Sequence, residues 1–148
     1  RDKAYLAALF HDMYRNLPKD AMNMYIRHLN IPSRYCNNSN LAHSKIAAAV
    51  IRNNYDIDDE DIINAVSYHT TGRANMTLLE KIIFIADAIE PERKYPGVNE
   101  IRRTAFEDID RACLLSLEGT VKFLTRKRAY IDADTLDALN YLKEQNNI

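Results

Sequence analysis

Three Gly and four Pro are all that punctuate 148 residues, and the apolar side chains between them recur at three- and four-residue spacing. A chain with so few turn formers and no sustained apolar–polar alternation is restricted to helices joined by short polar loops. The spacing predicts seven helices, over residues 2–14, 19–29, 41–55, 58–69, 77–90, 110–126 and from 132 into the polar tail around Asn146. Asp58 is the expected N-cap of the fourth, and Thr77 followed by Glu80 is a capping-box pattern opening the fifth. Residues 99–107 can form a short helix or merge with their neighbour, so they stay outside the count. Pro32 to Asn40 reads as a loop rich in Asn and Ser, and neither an internal repeat nor a convincing strand is visible. The expected fold is a single all-α domain over residues 1–148.

Charge narrows the function classes. Twenty Lys and Arg against 21 Asp and Glu give 20 − 21 = −1, without the basic excess of a dedicated nucleic-acid binder. No apolar run approaches the roughly 18 residues that span a bilayer, and no signal peptide is visible. Cys36 and Cys113 form no CxxC pair, and two cysteines make no disulfide framework, so a reducing cytoplasm is the expected compartment.

Helices 2–14 and 77–90 read as apolar on all sides and are expected to be buried. The first runs through Ala4-Tyr5-Leu6-Ala7-Ala8-Leu9-Phe10 into His11-Asp12, and the other through Ile82-Ile83-Phe84-Ile85-Ala86 into Asp87. A buried carboxylate needs a partner, because an unpaired one costs several kcal/mol. Asp12 and Asp87 can each pair with an Arg or cap backbone groups; alternatively, they share a divalent cation with an adjacent imidazole. His and carboxylate suit Fe, Mn, Co or Zn. His43 and His69 follow at helix edges among small or polar neighbours, so that the chain reads HD, His, His, Asp. His28 belongs to no such series and is expected to be structural or exposed.

These residues sit in longer strings: LAALFHDMYRNLP at residues 6–18, LAHSKIAA at 41–48 and YHTTGRANMTLLEKIIFIADAIEPERKYPGV at 68–98, with TVKFLTRKRAYIDADTL as a weaker echo near the C-terminus. With them the chain resembles the HD-domain phosphohydrolase superfamily, and within it the bacterial YqeK-type family of symmetrical bis(5'-nucleosyl)-tetraphosphatases. The dipeptide HD alone is a weak motif, whereas YHTTGR followed by ADAIEPER and PGV is highly specific. The resemblance implies an all-helical, metal-dependent hydrolase that splits diadenosine tetraphosphate into two ADP. It makes His11, Asp12 and Asp87 metal ligands of one ion, iron first among the candidates. His43 and His69 would bind phosphate, or hold a second ion. Thr70, Thr71 and Arg73 would line the nucleotide pocket, and Arg93 would contact phosphate or nucleotide. Arg15 stands where the family often has Lys, keeping the charge with a different geometry. The family carries a further metal-ligating His on a helix before the HD motif. Since the chain opens on Arg1 inside a predicted helix, we expect it to begin one helix late. A further departure is Ser44-Lys45 after His43, where Gly and an uncharged residue are frequent.

In the chemistry so implied, Asp12 orients or deprotonates the attacking water, and His43 and His69 hydrogen-bond the phosphate chain or protonate the departing ADP. Arg15, Arg73 and Arg93 supply charge-assisted contacts to phosphate oxygens. The run Arg126-Lys127-Arg128 fits the negative end of its helix dipole better than a polyphosphate rim. Tyr95 and Tyr130 are adenine-stacking candidates among nine tyrosines. The apolar series from Leu114 to Leu124 is core or a homodimer face. Competing readings are an HD nucleotidase or phosphodiesterase acting on another nucleotide, a nucleotide-binding regulatory module without turnover, and a helical scaffold or DNA binder.

Overall fold

The structure, a computed structural model, describes residues 2–146, so Arg1, Asn147 of the polar tail and Ile148 lie outside the described residues. Among those described there are eight α-helices, one short 3-10 turn and no strand. The all-α expectation holds, and the eighth helix comes from the segment that stood outside the count. The chain divides into two compact units, residues 1–70 and 71–148.

The first unit contains α1 (Asp2–Phe10), α2 (Lys19–His28), a 3-10 turn (Ser33–Tyr35), α3 (Ser39–Asn54) and α4 (Glu60–Ser67). Helix α3 packs against both α2 and α4, and α4 also packs against α1. Met22, Ile26, Tyr35, Ala42, Ile46 and Val50 form the core between α2 and α3. Helix α1 departs from expectation twice. It is buried fully only at Ala7, with Tyr5 and Leu9 exposed, and it stops at Phe10 rather than Tyr14. Beyond the bond from His11 N–H to the Ala7 carbonyl, the backbone tightens into three-residue turns, Met13 to Phe10, Arg15 to Asp12 and Leu17 to Tyr14. Such turns use poorer hydrogen-bond geometry than a helix, and Pro18 disfavours helical backbone at the residue before it. The HD pair therefore sits on a turn directly after the helix. The N-cap of α4 is Asp59, one residue later than expected, accepting from the amides of Asp61 and Ile62 at 3.0 and 3.4 Å. Its other oxygen holds Lys3 of α1 at 2.8 Å.

The second unit contains α5 (Leu78–Ala88), α6 (Val98–Thr104), α7 (Ile109–Lys127) and α8 (Ala133–Gln145). Helix α7 is its axis and packs against each of the other three. The core combines Phe84 and Ile85 of α5, Ile101 of α6, Ala112, Cys113, Leu114 and Leu117 of α7, and Ala138, Leu139 and Leu142 of α8. The Leu114–Leu117 part of the apolar series is therefore core, whereas Phe123 is exposed. Burial pushes the Cys113 thiol up to about 12. The Thr77–Glu80 capping box forms as expected. Gly72 lies at φ +67°, where an added Cβ would come within 3.2 Å of the Ala138 Cβ, so both the backbone and the packing call for glycine. Among the described residues no helix is long and apolar enough to cross a membrane.

Candidate metal centre

The first unit places four side chains of the HD–His–His series around one point. His11 and Asp12 come from the turn after α1, His43 from the first turns of α3, and His69 from the segment just beyond α4. Each imidazole is held from behind by a backbone carbonyl: His11 Nδ1 bonds Ala8 O at 2.7 Å, His43 Nδ1 bonds Ser39 O at 3.1 Å, and His69 Nδ1 bonds Val66 O at 2.7 Å. A carbonyl only accepts, so in all three rings Nδ1 carries the proton and the neutral ring presents a bare Nε2 lone pair. These lone pairs converge. His43 Nε2 and His69 Nε2 are 3.1 Å apart. Asp12 Oδ1 lies 3.2 Å from the former and 3.5 Å from the latter. His11 Nε2 is 3.6 Å from Asp12 Oδ2.

Two lone pairs and a carboxylate oxygen at these distances repel one another unless a proton or a cation stands among them. The Asp12 carboxylate is half satisfied. Oδ2 accepts from Arg15 at 2.7 Å, whereas Oδ1 is buried without a hydrogen-bond partner. Arginine pairing, one of the two readings open from the sequence, is thus real at Asp12 but accounts for only one of its oxygens. Burial pulls the Asp12 carboxyl upward, yet its contacts with His69 and Arg15 outweigh that and hold the group well below the usual carboxylate range. Burial, then the neighbouring His69, lowers the His43 imidazole, which disfavours a proton on that ring. A divalent cation fits the donor set. His11, Asp12 and His69 offer ligand atoms within 4.8 Å of one another, and carbonyl-anchored imidazoles are the usual outer support of histidine ligands.

Two side chains brace this arrangement. Ser44 donates to Leu41 O at 3.0 Å and lies 3.3 Å from the Thr70 hydroxyl. Lys45 is buried and donates to the carbonyl and hydroxyl of Ser67 at 2.8 and 3.1 Å, beneath the Tyr68 ring at 3.8 Å. It joins α3 to the end of α4, and so ties the segment bearing His43 to that bearing His69. The sequence marked Lys45 only as a departure from the family pattern. His28 is exposed, as expected.

The remaining candidates lie in the second unit. Asp87, in the last turn of α5, pairs through Oδ1 with Arg93 at 3.0 Å, and Arg93 Nε also reaches the Asp87 carbonyl at 3.3 Å. Thr71 is buried, with its hydroxyl donating to Gly72 O at 2.8 Å. Arg73 forms a two-pronged ion pair with the buried Glu80 at 2.5 and 3.0 Å. Thr71 and Arg73 therefore hold the turn that leads into α5. Tyr95 caps the end of that helix through a bond to Ala88 O at 2.8 Å, and Arg126-Lys127-Arg128 is exposed at the C-terminus of α7.

Residues 1–92 match the HD domain family. The chain is similar to the symmetrical bis(5'-nucleosyl)-tetraphosphatase of Bacillus subtilis, 40% identical over 95% of this chain and 76% of that protein. It is likewise similar to the protein of the same name from Halalkalibacterium halodurans, 43% identical over 96% and 76%. Among solved structures, an HD superfamily hydrolase involved in NAD metabolism from Clostridium acetobutylicum superposes with a TM-score of 0.89 at 40% identity, covering 97% of this chain and 77% of that one. With an HD pair set in a His–Asp–His group suited to a metal ion and relatives aligned along nearly all its length, the chain belongs to the HD-domain family, within the group of the symmetrical bis(5'-nucleosyl)-tetraphosphatases.

Proposed function

We propose that this protein is a metal-dependent hydrolase that cleaves diadenosine tetraphosphate symmetrically to two ADP. The observation that carries the reading is the convergence of three carbonyl-anchored imidazoles and a half-satisfied carboxylate in the first unit. His11, Asp12 and His69 would hold the ion; Asp87 keeps the ligand role that the family resemblance implies. Iron is our first choice of metal, with manganese, cobalt and zinc as alternatives suited to the same N and O donors. A bound cation polarises a phosphoryl oxygen and makes a water acidic enough to attack at neutral pH.

The chain's own residues do the rest. Asp12, kept ionised, orients the water and accepts its proton through Oδ1, the oxygen that has no hydrogen-bond partner in the fold. His43, which its surroundings favour as a neutral ring, takes that proton from Asp12 Oδ1 at its bare Nε2, 3.2 Å away, and then gives it to the departing ADP. Arg15 binds Asp12 and borders the ion site, and Arg93 supplies charge to the phosphate chain. The nucleotide is the partner this chemistry needs. The reading also treats the whole chain as one catalytic domain.

Product analysis tests the proposal. Metal-loaded protein given diadenosine tetraphosphate should yield ADP alone, and it should turn over nucleoside monophosphates and cyclic nucleotides far more slowly. AMP with ATP as products, or faster turnover of a monophosphate, would overturn it.

A further inference from the structure

The segment between α5 and α6 carries Arg93 and cannot be regular, because Pro91 and Pro96 interrupt it. Its carbonyls therefore need donor partners from elsewhere, and one side chain supplies several of them. Arg102, on α6, donates from Nε to Ile89 O at 3.0 Å and from Nη2 to Glu90 O at 2.7 Å, Arg93 O at 2.9 Å and Pro91 O at 3.5 Å. Its Nη1 is fixed in turn by Asn99 Oδ1 at 2.9 Å. A planar fork with several donors in fixed directions can gather four carbonyls of one loop, which a flexible ammonium cannot do. The carbonyl of Arg93 is among those held, so the clamp acts on the residue whose guanidinium pairs with Asp87. Arg103, next in sequence, is exposed.

We propose that Arg102 is a positioning residue for the hydrolytic reaction: it sets the backbone of residues 89–93 and thereby fixes the Arg93 guanidinium against Asp87. This rests on the reading of Arg93 as a phosphate contact. Arg102 touches neither substrate nor metal; it acts through Arg93.

The test uses the metal-loaded full chain with R102A, R102K, R93A, the double variant R93A/R102A, and R103A as the control. R102A should raise KM for diadenosine tetraphosphate roughly tenfold, the scale of one weakened charge-assisted hydrogen bond, with kcat changed far less. In the R93A background the same substitution should add nothing, because residues acting in series are non-additive. R102K should resemble R102A, and R103A the parent. Hydrogen exchange gives a readout independent of turnover: the Arg93 and Val98 amides, bonded to Glu90 O and Tyr95 O, should exchange faster in R102A and R102K. A parental KM in R102A, or KM effects of R93A and R102A that multiply, would overturn the proposal. If the parent cleaves no dinucleotide, the proposed function fails by itself, and unchanged exchange at Arg93 and Val98 then sinks the clamp separately. Should R102A not fold, R102K carries the same comparisons.

Discussion

At the scale of single residues, Asp12 is the group on which the site turns. One oxygen is committed to Arg15 and the other is buried beside two imidazoles. Removing the carboxylate leaves the converging Nε2 atoms without a negative partner, so metal should be lost while the helices persist. We expect Asp12→Ala and Asp87→Ala to reduce metal content, by elemental analysis, to well under a tenth of the parent's, with parental circular dichroism; full metal in either variant removes that residue from the ligand set. Order along the chain made the HD, His, His, Asp series legible without coordinates. The tautomer of each ring was not legible, because it depends on carbonyls three or four residues back, those of Ala8, Ser39 and Val66, which face the rings only once the local turns form. The roles of Lys45 and Arg102 are invisible in the sequence for a related reason. Nothing in the string IRRT distinguishes Arg102, which gathers a loop, from Arg103, which is exposed.

Elements were read from the sequence in proportion to how local their signals are. The Thr77–Glu80 box is a three-residue exchange between side chain and backbone, and it formed where the residues announced it. The N-cap of α4 lies one residue later than the sequence suggests, since Asp58 and Asp59 are chemically equivalent in the string and it is Asp59 that Lys3 of α1 holds, at 2.8 Å. The apolar content of helix α1 predicts burial on all sides, yet only Ala7 is fully covered, since burial depends on what packs against a helix and not on its composition. The turn at Gly72 offers a sharp test. Gly72→Ala must place an L-residue at φ +67° and push its Cβ against Ala138, whereas Gly97→Ala meets φ +91° with open space around the Cβ. Left-handed backbone alone costs about 1–2 kcal/mol. Gly72→Ala should therefore lose more stability in urea than Gly97→Ala, and equal losses would show that the Ala138 contact relaxes freely.

For the whole molecule, the sequence points to one domain, and the folded chain divides into two compact units, each with its own core. The reading of a single catalytic domain predicts one cooperative transition by calorimetry, with equal calorimetric and van't Hoff enthalpies. Two resolved transitions would instead make the units independent folding bodies. What the sequence determined by itself was the all-helical class, the positions of most helices and the ordered series of candidate ligands, because helix periodicity, capping and short motifs are properties of residues a few positions apart. The tertiary structure decided which oxygen of Asp12 remains unpartnered, which nitrogen each histidine presents and which arginine holds the Arg93 loop. Those outcomes depend on atoms brought within about 3 Å by helix packing, from residues as distant in sequence as His43 and His69.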